Sequence, residues 1–133
     1  MTANTDLLAP IISAIIATGE LDDIDWTEFS LIAGIDEDYS EVNETYGYAY
    51  TTAGDSVAIS CRPSKINDPI IAYRAWLRLD DQKAFIKTLI QFNRVTGKFN
   101  VDFEYEDESR WNVRPSNIDS VVEELRPGLG AIS

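Results

Sequence analysis

The stretch that decides the fold is residues 86–105, IKTLIQFNRVTGKFNVDFEY, in which apolar and polar residues alternate along two runs. This period of two is typical of two β-strands, and a two-residue turn at Thr96 and Gly97 would join them as a hairpin. That turn fixes a register in which Lys87 lies opposite Glu106. The register gathers the apolar residues on one face, namely Ile86, Ile90, Phe92, Phe99, Val101, Phe103 and Tyr105.

On both sides of the hairpin, the apolar periodicity predicts further elements, three strands and three helices in all. The predicted helices are residues 5–18, a segment from Pro69 to about 79 with Asp68 as its N-cap, and a segment opened by a capping box at 116–119. The predicted strands are about 26–35, about 44–52, and a short one containing Val57, Ile59 and Cys61. The order α-β-β-β-α-β-β-α, with short turns, predicts an α+β fold: an antiparallel sheet of about five strands with helices packed on it. We expect residues 1–133 to form a single domain.

Charge is distributed unevenly along the chain. Residues 1–61 contain 12 acidic and no basic side chains, whereas residues 62–133 contain 11 of each, so the first segment carries the whole net charge of −12. A nucleic-acid-binding protein or one that binds anionic membranes needs cationic side chains, so direct contact with either is not expected. The chain has no histidine and a single cysteine, which excludes imidazole-based triads and thiolate metal cages. We expect a cytoplasmic protein.

The acidic segment from Glu20 to Glu44 admits three interpretations. Asp36, Asp38 and Ser40 begin a pattern like that of a calcium-binding loop, but the required glycine and bidentate glutamate do not follow, so no metal site is expected. A second interpretation is simple solvation, since acidic side chains hydrate well. The third is a docking surface for a basic partner, with aromatic side chains as anchors. Its candidate residues are Asp22, Asp23, Asp25, Trp26, Asp36, Glu37, Asp38, Tyr39, Glu41, Glu44, Tyr46 and Tyr48.

Two other patterns have competing explanations. Asp102, Glu104 and Glu106 share one strand face, as carboxylates do in some metal-dependent nucleases, but a solvated strand face would contain the same residues. Tyr46, Tyr48 and Tyr50 share one face of the second strand, and this tyrosine stripe could be core or contact surface. We expect no catalytic, cofactor or metal site, and Cys61 is expected to be a small buried hydrophobe.

The segment Gly97–Asp107, GKFNVDFEYED, is followed by Arg110-Trp111 and by Pro115-Ser116-Asn117. A strand of this pattern running into Arg-Trp and a C-terminal helix resembles the YezG-like immunity protein family, and the resemblance covers about residues 83–126. It implies a cytoplasmic antitoxin of contact-dependent growth inhibition or a related polymorphic toxin system. Such a protein binds the C-terminal domain of one cognate toxin, commonly a nuclease, in a 1:1 complex and blocks its active site.

The charge asymmetry agrees with this resemblance, because a nuclease presents a basic cleft that carboxylates can occupy. The leading hypothesis is therefore an immunity protein whose acidic N-terminal half docks on a basic toxin domain. An alternative is an acidic secretion chaperone that binds an effector segment, which the apolar first helix favours. A third hypothesis is an enzyme that uses the strand carboxylates with a metal ion.

Overall fold

The computed structural model describes residues 2–36, 38, 41–78, 84–107, 109–112 and 116–127. Its elements are α1 (Thr2–Ala17), β1 (Trp26–Asp36), β2 (Glu41–Thr51), β3 (Ser56–Ile59), α2 (Pro63–Arg78), β4 (Lys87–Asn93), β5 (Phe99–Glu104) and α3 (Ile118–Glu124). The strands form an antiparallel sheet in the order β3-β2-β1-β4-β5. The predicted α+β class and the predicted order of elements are both confirmed.

Both faces of the sheet are covered, because apolar side chains alternate to each side of the central strand β1. On one face, Phe29, Leu31 and Ala33 pack in a core cluster with residues of α1 and α2, including Ile15 and Ile70. The predicted apolar face of the β4–β5 hairpin joins this cluster through Ile90, Phe92, Phe99, Val101, Phe103 and Tyr105. On the opposite face a second cluster packs beneath α3 and consists of Ile32, Tyr48, Tyr50, Leu89, Val121 and Leu125.

The tyrosine stripe belongs mainly to this second cluster. Tyr48 is 6% exposed and Tyr50 is 1% exposed, so both are core residues, while Tyr46 is half-buried against the same cluster. The small residues between them face the two-helix side. There a Cβ on Gly47 would stand 1.9 Å from the main-chain oxygen of Ser30, so only glycine allows β2 to lie this close to β1.

The register predicted for the β4–β5 hairpin is wrong by two positions. Phe92 pairs with Phe99 and Lys87 with Glu104, which leaves a loop of residues 94–97. The reason is Asn93, whose Oδ1 accepts hydrogen bonds from the N–H groups of Val95 and Thr96 at 2.9 and 3.0 Å. A shift of two positions keeps every side chain on its predicted face, so the apolar face was predicted correctly although the pairs were not.

The helix starts also differ from the predicted ones. Helix α1 begins at Thr2 rather than residue 5. Helix α2 begins at Pro63 rather than Pro69, so Asp68, the predicted N-cap, and Pro69, the predicted first residue, lie inside it. The earlier proline takes the first helical position, where a missing N–H is tolerated. The longer helix then buries Ile66 completely.

The last helix and the shortest strand bury fewer residues than predicted. Asn117 is the N-cap of α3 and makes no side-chain capping bond, so the predicted capping box at 116–119 is absent. The apolar spacing of this helix predicts Ile118, Val121, Val122 and Leu125 on its inner face; Val121 and Leu125 are buried and Val122 is partly buried, whereas Ile118 is 44% exposed. Of the alternating residues predicted for the third strand, Ile59 and Cys61 are buried and Val57 is 38% exposed.

Candidate partner-binding surface

The predicted acidic residues lie at the two ends of β1, not on one continuous patch. Asp22, Asp23 and Asp25 precede β1, whereas Asp36 ends it and Glu41 begins β2. Strand β1 has 11 residues. Its ends are therefore roughly 33 Å apart, at about 3.3 Å per residue step. The predicted contact residues therefore form two separate candidate sites with different surroundings, not a single acidic surface.

The site before β1 is electrically mixed. Asp22 and Asp23 are exposed, but Asp25 lies 3.9 Å from the guanidinium of Arg94. The same guanidinium stacks 4.5 Å from the ring centroid of Trp26. Trp26 itself is 5% exposed and packs in the core, so it offers a partner little surface. Arg94 thus provides this end of the sheet with a positive charge.

The site after β1 is different, and we call Asp36, Asp38, Glu41 and Glu44 the acidic hairpin end. Asp38, Glu41 and Glu44 are exposed and Asp36 is partly exposed. Among the described residues, none of these four carboxylates forms an ion pair. Glu37 and Tyr39, also predicted as contacts, lie outside the described residues. The two sites therefore differ in their cations: Arg94 lies beside the site before β1, whereas no described cation forms an ion pair with the acidic hairpin end.

A groove of about 600 Å³ opens beside the acidic hairpin end. Gly34 lies at its base, where the side chain of Glu44 lies across the glycine: a Cβ on Gly34 would stand 2.7 Å from Glu44 Cγ. Gly34 aligns with Glu44 on β2 and with Lys87 on β4, so the three residues form a row across the sheet. The missing side chain at Gly34 thus leaves room for the Glu44 side chain above the strand.

Lys87 lies at the inner wall of this groove and is 2% exposed. Its Nζ donates hydrogen bonds to the main-chain oxygen of Arg110 at 2.9 Å and to Asn112 Oδ1 at 2.8 Å. The same Nζ lies 5.5 Å from the ring centroid of Tyr46. This buried ammonium group holds the segment after β5 against the sheet. Its charge is directed at these groups within the protein, not at solvent.

Glu104 is part of the carboxylate trio but has a structural role. Its Oε2 accepts hydrogen bonds from the N–H groups of Tyr105, Glu106 and Asp107 at 3.2, 3.1 and 3.0 Å. Its Oε1 accepts one from Arg110 Nη1 at 3.0 Å. These bonds, the one from Asp107 foremost, lower the pKa of Glu104 to about 2. The carboxylate therefore caps the turn that ends β5.

Two acidic residues that were not predicted as contacts lie at the same end of the sheet. Strand β5 runs parallel to β1, and the turn after it carries the exposed residues Glu106 and Asp107 near the level of Asp36. The pKa of Asp107 is lowered by hydrogen bonds from Ser109. The strand order, in which β4 lies between β1 and β5, is what brings these residues near the acidic hairpin end.

The aromatic anchors predicted for this surface are largely unavailable. Tyr48 is buried, and Tyr46 is half-buried with its hydroxyl donating to Asn112 Oδ1 at 3.3 Å. Burial, with a smaller contribution from Glu44, raises the pKa of Tyr46 above its ordinary value. The acidic hairpin end therefore has one partly accessible aromatic residue, Tyr46, among the described predicted contacts.

The described carboxylates and Cys61 were also candidates for a metal site or a nucleophile. No group of three or more Asp, Glu and Cys side chains within the described ranges is arranged to hold a metal ion. Cys61 is 4% exposed, its Sγ lies 3.7 Å from Thr18 Oγ1, and burial raises the pKa of its thiol. A buried, protonated thiol is a poor nucleophile, as expected for a structural residue.

Over the part of the chain that is described, no helix has the length and hydropathy needed to cross a membrane. Comparison of the sequence with models of known families gives no match, and comparison with curated proteins gives none either.

Proposed function

We propose that this protein is an immunity protein that binds a basic toxin domain with nuclease activity and blocks its active-site cleft. The observation that carries the proposal is the acidic hairpin end, where four neighbouring carboxylates have no cationic partner among the described residues. A cleft that binds RNA or DNA must be cationic, so exposed carboxylates at the ends of the paired strands β1 and β2 complement it.

The sheet supports such a role because it holds the carboxylates in fixed positions. Asp36 and Glu41 lie on long central strands, each of 11 residues. The N–H of Asp38 donates to Asp36 Oδ1 at 3.0 Å, which orders the start of the hairpin loop. A preorganised surface loses little conformational entropy on binding, so more of the interaction energy appears as affinity.

The proposed inhibitor acts by binding alone, in a 1:1 complex and without a cofactor. We place it in the cytoplasm, where an imported nuclease would meet its substrate. The resemblance of about residues 83–126 to YezG-like immunity proteins supports the same function. The acidic charge also favours rapid association, since opposite charges steer two proteins together.

The alternative, a secretion chaperone, was suggested by the apolar first helix. In the structure Leu8, Ile11, Ile12 and Ile15 of α1 are buried in the chain's own core. These side chains are therefore not available to an unfolded effector segment, and among residues 8–17, whose side chains are described, Ile16 is the large apolar residue that stays exposed, at 37%. Its packing therefore supports the inhibitor over the chaperone.

The test uses the C-terminal domain of the large exported polypeptide expected from the neighbouring upstream reading frame. We expect the purified domain to bind this protein with 1:1 stoichiometry in calorimetry and to lose its toxic activity in the complex. Raising the salt concentration should weaken binding mainly by lowering the association rate. If the folded domain neither binds nor is inhibited, the proposed function is wrong.

A further inference from the structure

The edge strand β3 has a hydrogen-bonding pattern that can be derived from one bond. The N–H of Thr51 donates to the main-chain oxygen of Asp55 at 2.8 Å, so these residues are a hydrogen-bonded pair of the antiparallel β2–β3 ladder. Hydrogen-bonded and non-hydrogen-bonded pairs alternate along such a ladder. The N–H and C=O groups of Val57 and Ile59 therefore point toward β2.

By the same alternation, the backbone groups of Ser56 and Ala58 point away from the sheet. No described residue forms a hydrogen bond with their N–H groups. Ser56, Val57 and Ala58 are all exposed, so a strand placed alongside β3 would meet free donors and acceptors.

The opposite edge of the sheet, β5, differs in two respects. It carries the charged residues Asp102 and Glu104, and Arg110 Nη1 donates to the outward main-chain oxygen of Phe103 at 3.4 Å. Charged side chains and covered backbone groups are the usual protection of an edge strand. Strand β3, with the sequence SVAI, has no charged residue.

An apolar groove of about 490 Å³ runs beside β3 on the face that carries α3. Tyr46, Tyr48, Ala58 and Ile118 line it, and none of the residues that line it is cationic. On the other face of the sheet, Val57 is 38% exposed. A strand added to β3 would therefore find apolar contacts for alternate side chains on both faces.

We propose that the β3 edge accepts an extended segment of the basic partner as an additional strand of the sheet. The proposal rests on the proposed function and names how that partner is held. The occupant is an apolar strand flanked by Lys or Arg, because Glu44 lines one end of the groove and Asp55 immediately precedes β3. Main-chain bonds supply affinity in such an arrangement and the groove supplies specificity.

Charge argues against a second copy of this chain as the occupant. Each chain has a net charge of −12, and pairing two β3 strands would bring two N-terminal acidic segments together. A basic partner converts the same charges from repulsion to attraction.

The first experiment measures amide exchange by NMR on the unmodified protein, free and with the C-terminal toxin domain from the upstream reading frame. We expect exchange at the Ala58 N–H to slow at least tenfold in the complex. The N–H of Val101, which points outward on β5, is the internal control and should not change. Binding that leaves exchange at Ala58 unaltered would overturn the proposal.

The second experiment compares Ala58→Pro with Val101→Pro. Proline at position 58 removes an outward N–H and leaves the β2–β3 ladder intact, as edge strands tolerate. We expect about a tenfold weaker complex for Ala58→Pro, the size of effect that follows from one unsatisfied hydrogen bond, and unchanged affinity for Val101→Pro. If Ala58→Pro bound the toxin domain as tightly as the unmodified protein, the proposal would be wrong. If the variant does not fold, the amide-exchange measurement on the unmodified protein tests the proposal instead.

These results separate the β3 proposal from the proposed function. If the domain binds and is inhibited but β3 is not protected, the inhibitor stands and the β3 proposal fails. If the domain does not bind at all, the proposed function fails first. Light scattering on the protein alone completes the test: a dimer that Ala58→Pro dissociates would overturn the proposal, whereas a monomer at the same concentration supports it.

Discussion

Asp36 and Glu41 are direct cross-strand partners at the last pair of the β1–β2 ladder. Like charges placed opposite each other destabilise a sheet, and among the described residues no cation is paired with either carboxylate. The repulsion between the two carboxylates lowers the stability of the fold, although Asp36 Oδ1 also accepts a hydrogen bond from the Asp38 N–H at 3.0 Å. A basic partner would turn the same repulsion into attraction, so the pair links the structure to the proposed function.

Replacing Glu41 with Gln should therefore separate stability from binding. We expect Glu41→Gln to raise the free energy of unfolding by about 0.5 kcal/mol, because it removes the repulsion with Asp36. The same change should slow association with the toxin domain. Chemical denaturation and stopped-flow binding measure the two effects. Asp22→Asn, at the other end of β1, is the control and should leave the association rate nearly unchanged. If both variants slowed association to a similar extent, the acidic hairpin end would not be the docking site.

The close approach of β1 and β2 at Gly47 predicts a large effect of one methyl group. In Gly47→Ala the added Cβ would overlap the main-chain oxygen of Ser30, and relief requires the two strands to move apart. We expect a loss of about 3 kcal/mol or a failure to fold. Gly34→Ala is the matched control, because its Cβ would meet the movable Glu44 side chain. Thermal denaturation showing equal losses for the two variants would refute this explanation.

The docking of α3 depends on buried polar side chains of the sheet. The Tyr50 hydroxyl donates to the main-chain oxygen of Val122 at 2.7 Å, and Gln91 Nε2 donates to that of Leu125 at 3.0 Å. We expect Tyr50→Phe to lower stability by about 1 kcal/mol and to speed amide exchange in α3. Tyr48→Phe is the control, because the Tyr48 hydroxyl has no hydrogen-bond partner among the described residues. Unchanged exchange in α3 for Tyr50→Phe would show that this bond does not hold the helix.

The capping carboxylate of Glu104 predicts a specific pH dependence. Its pKa is lowered in the folded protein to about 2, below the ordinary value of about 4.3. Its contribution to stability is therefore complete above that ordinary value and is lost as the pH falls toward 2. We expect Glu104→Gln to melt at a lower temperature than the unmodified protein at pH 7, with the difference shrinking below pH 4. A difference that persists at pH 2 would contradict this role, and the exposed Glu124→Gln serves as the control.

The fold class followed from the sequence because side-chain periodicity reports directly on which face of a strand is buried. The alternation of Phe29, Leu31 and Ala33 predicted the face of β1 that packs against α1 and α2. For the tyrosine stripe of β2, by contrast, the sequence left core and contact surface as equal alternatives, and the structure shows that it is mainly core. Periodicity does not report loop length, however. The Asn93 side chain stabilises a longer loop, and this shifted the β4–β5 pairs by two positions without changing their faces.

The candidate site was harder to predict, because the positions of charged residues along the sequence do not show where the strands place those residues in space. Residues 22–25 and 36–44 are close in sequence, yet β1 separates them by nearly its whole length. Glu106 and Asp107 are distant in sequence, yet the sheet order brings them near Asp36. Trp26 and Tyr48 look like contact residues by type, but the helices on both faces bury them.

The measurement that tests the central claim most directly compares two charge reversals in binding to the toxin domain. One variant reverses the acidic hairpin end, Asp36→Lys with Glu41→Lys and Glu44→Lys, and the other reverses Asp22, Asp23 and Asp25 to Lys, so both change the net charge equally. We expect the first variant to bind at least a hundredfold more weakly, a change of about 2.7 kcal/mol, and to lose its protective activity. We expect a much smaller loss of affinity for the second variant. Equal losses, or full protection by the first variant, would contradict this account.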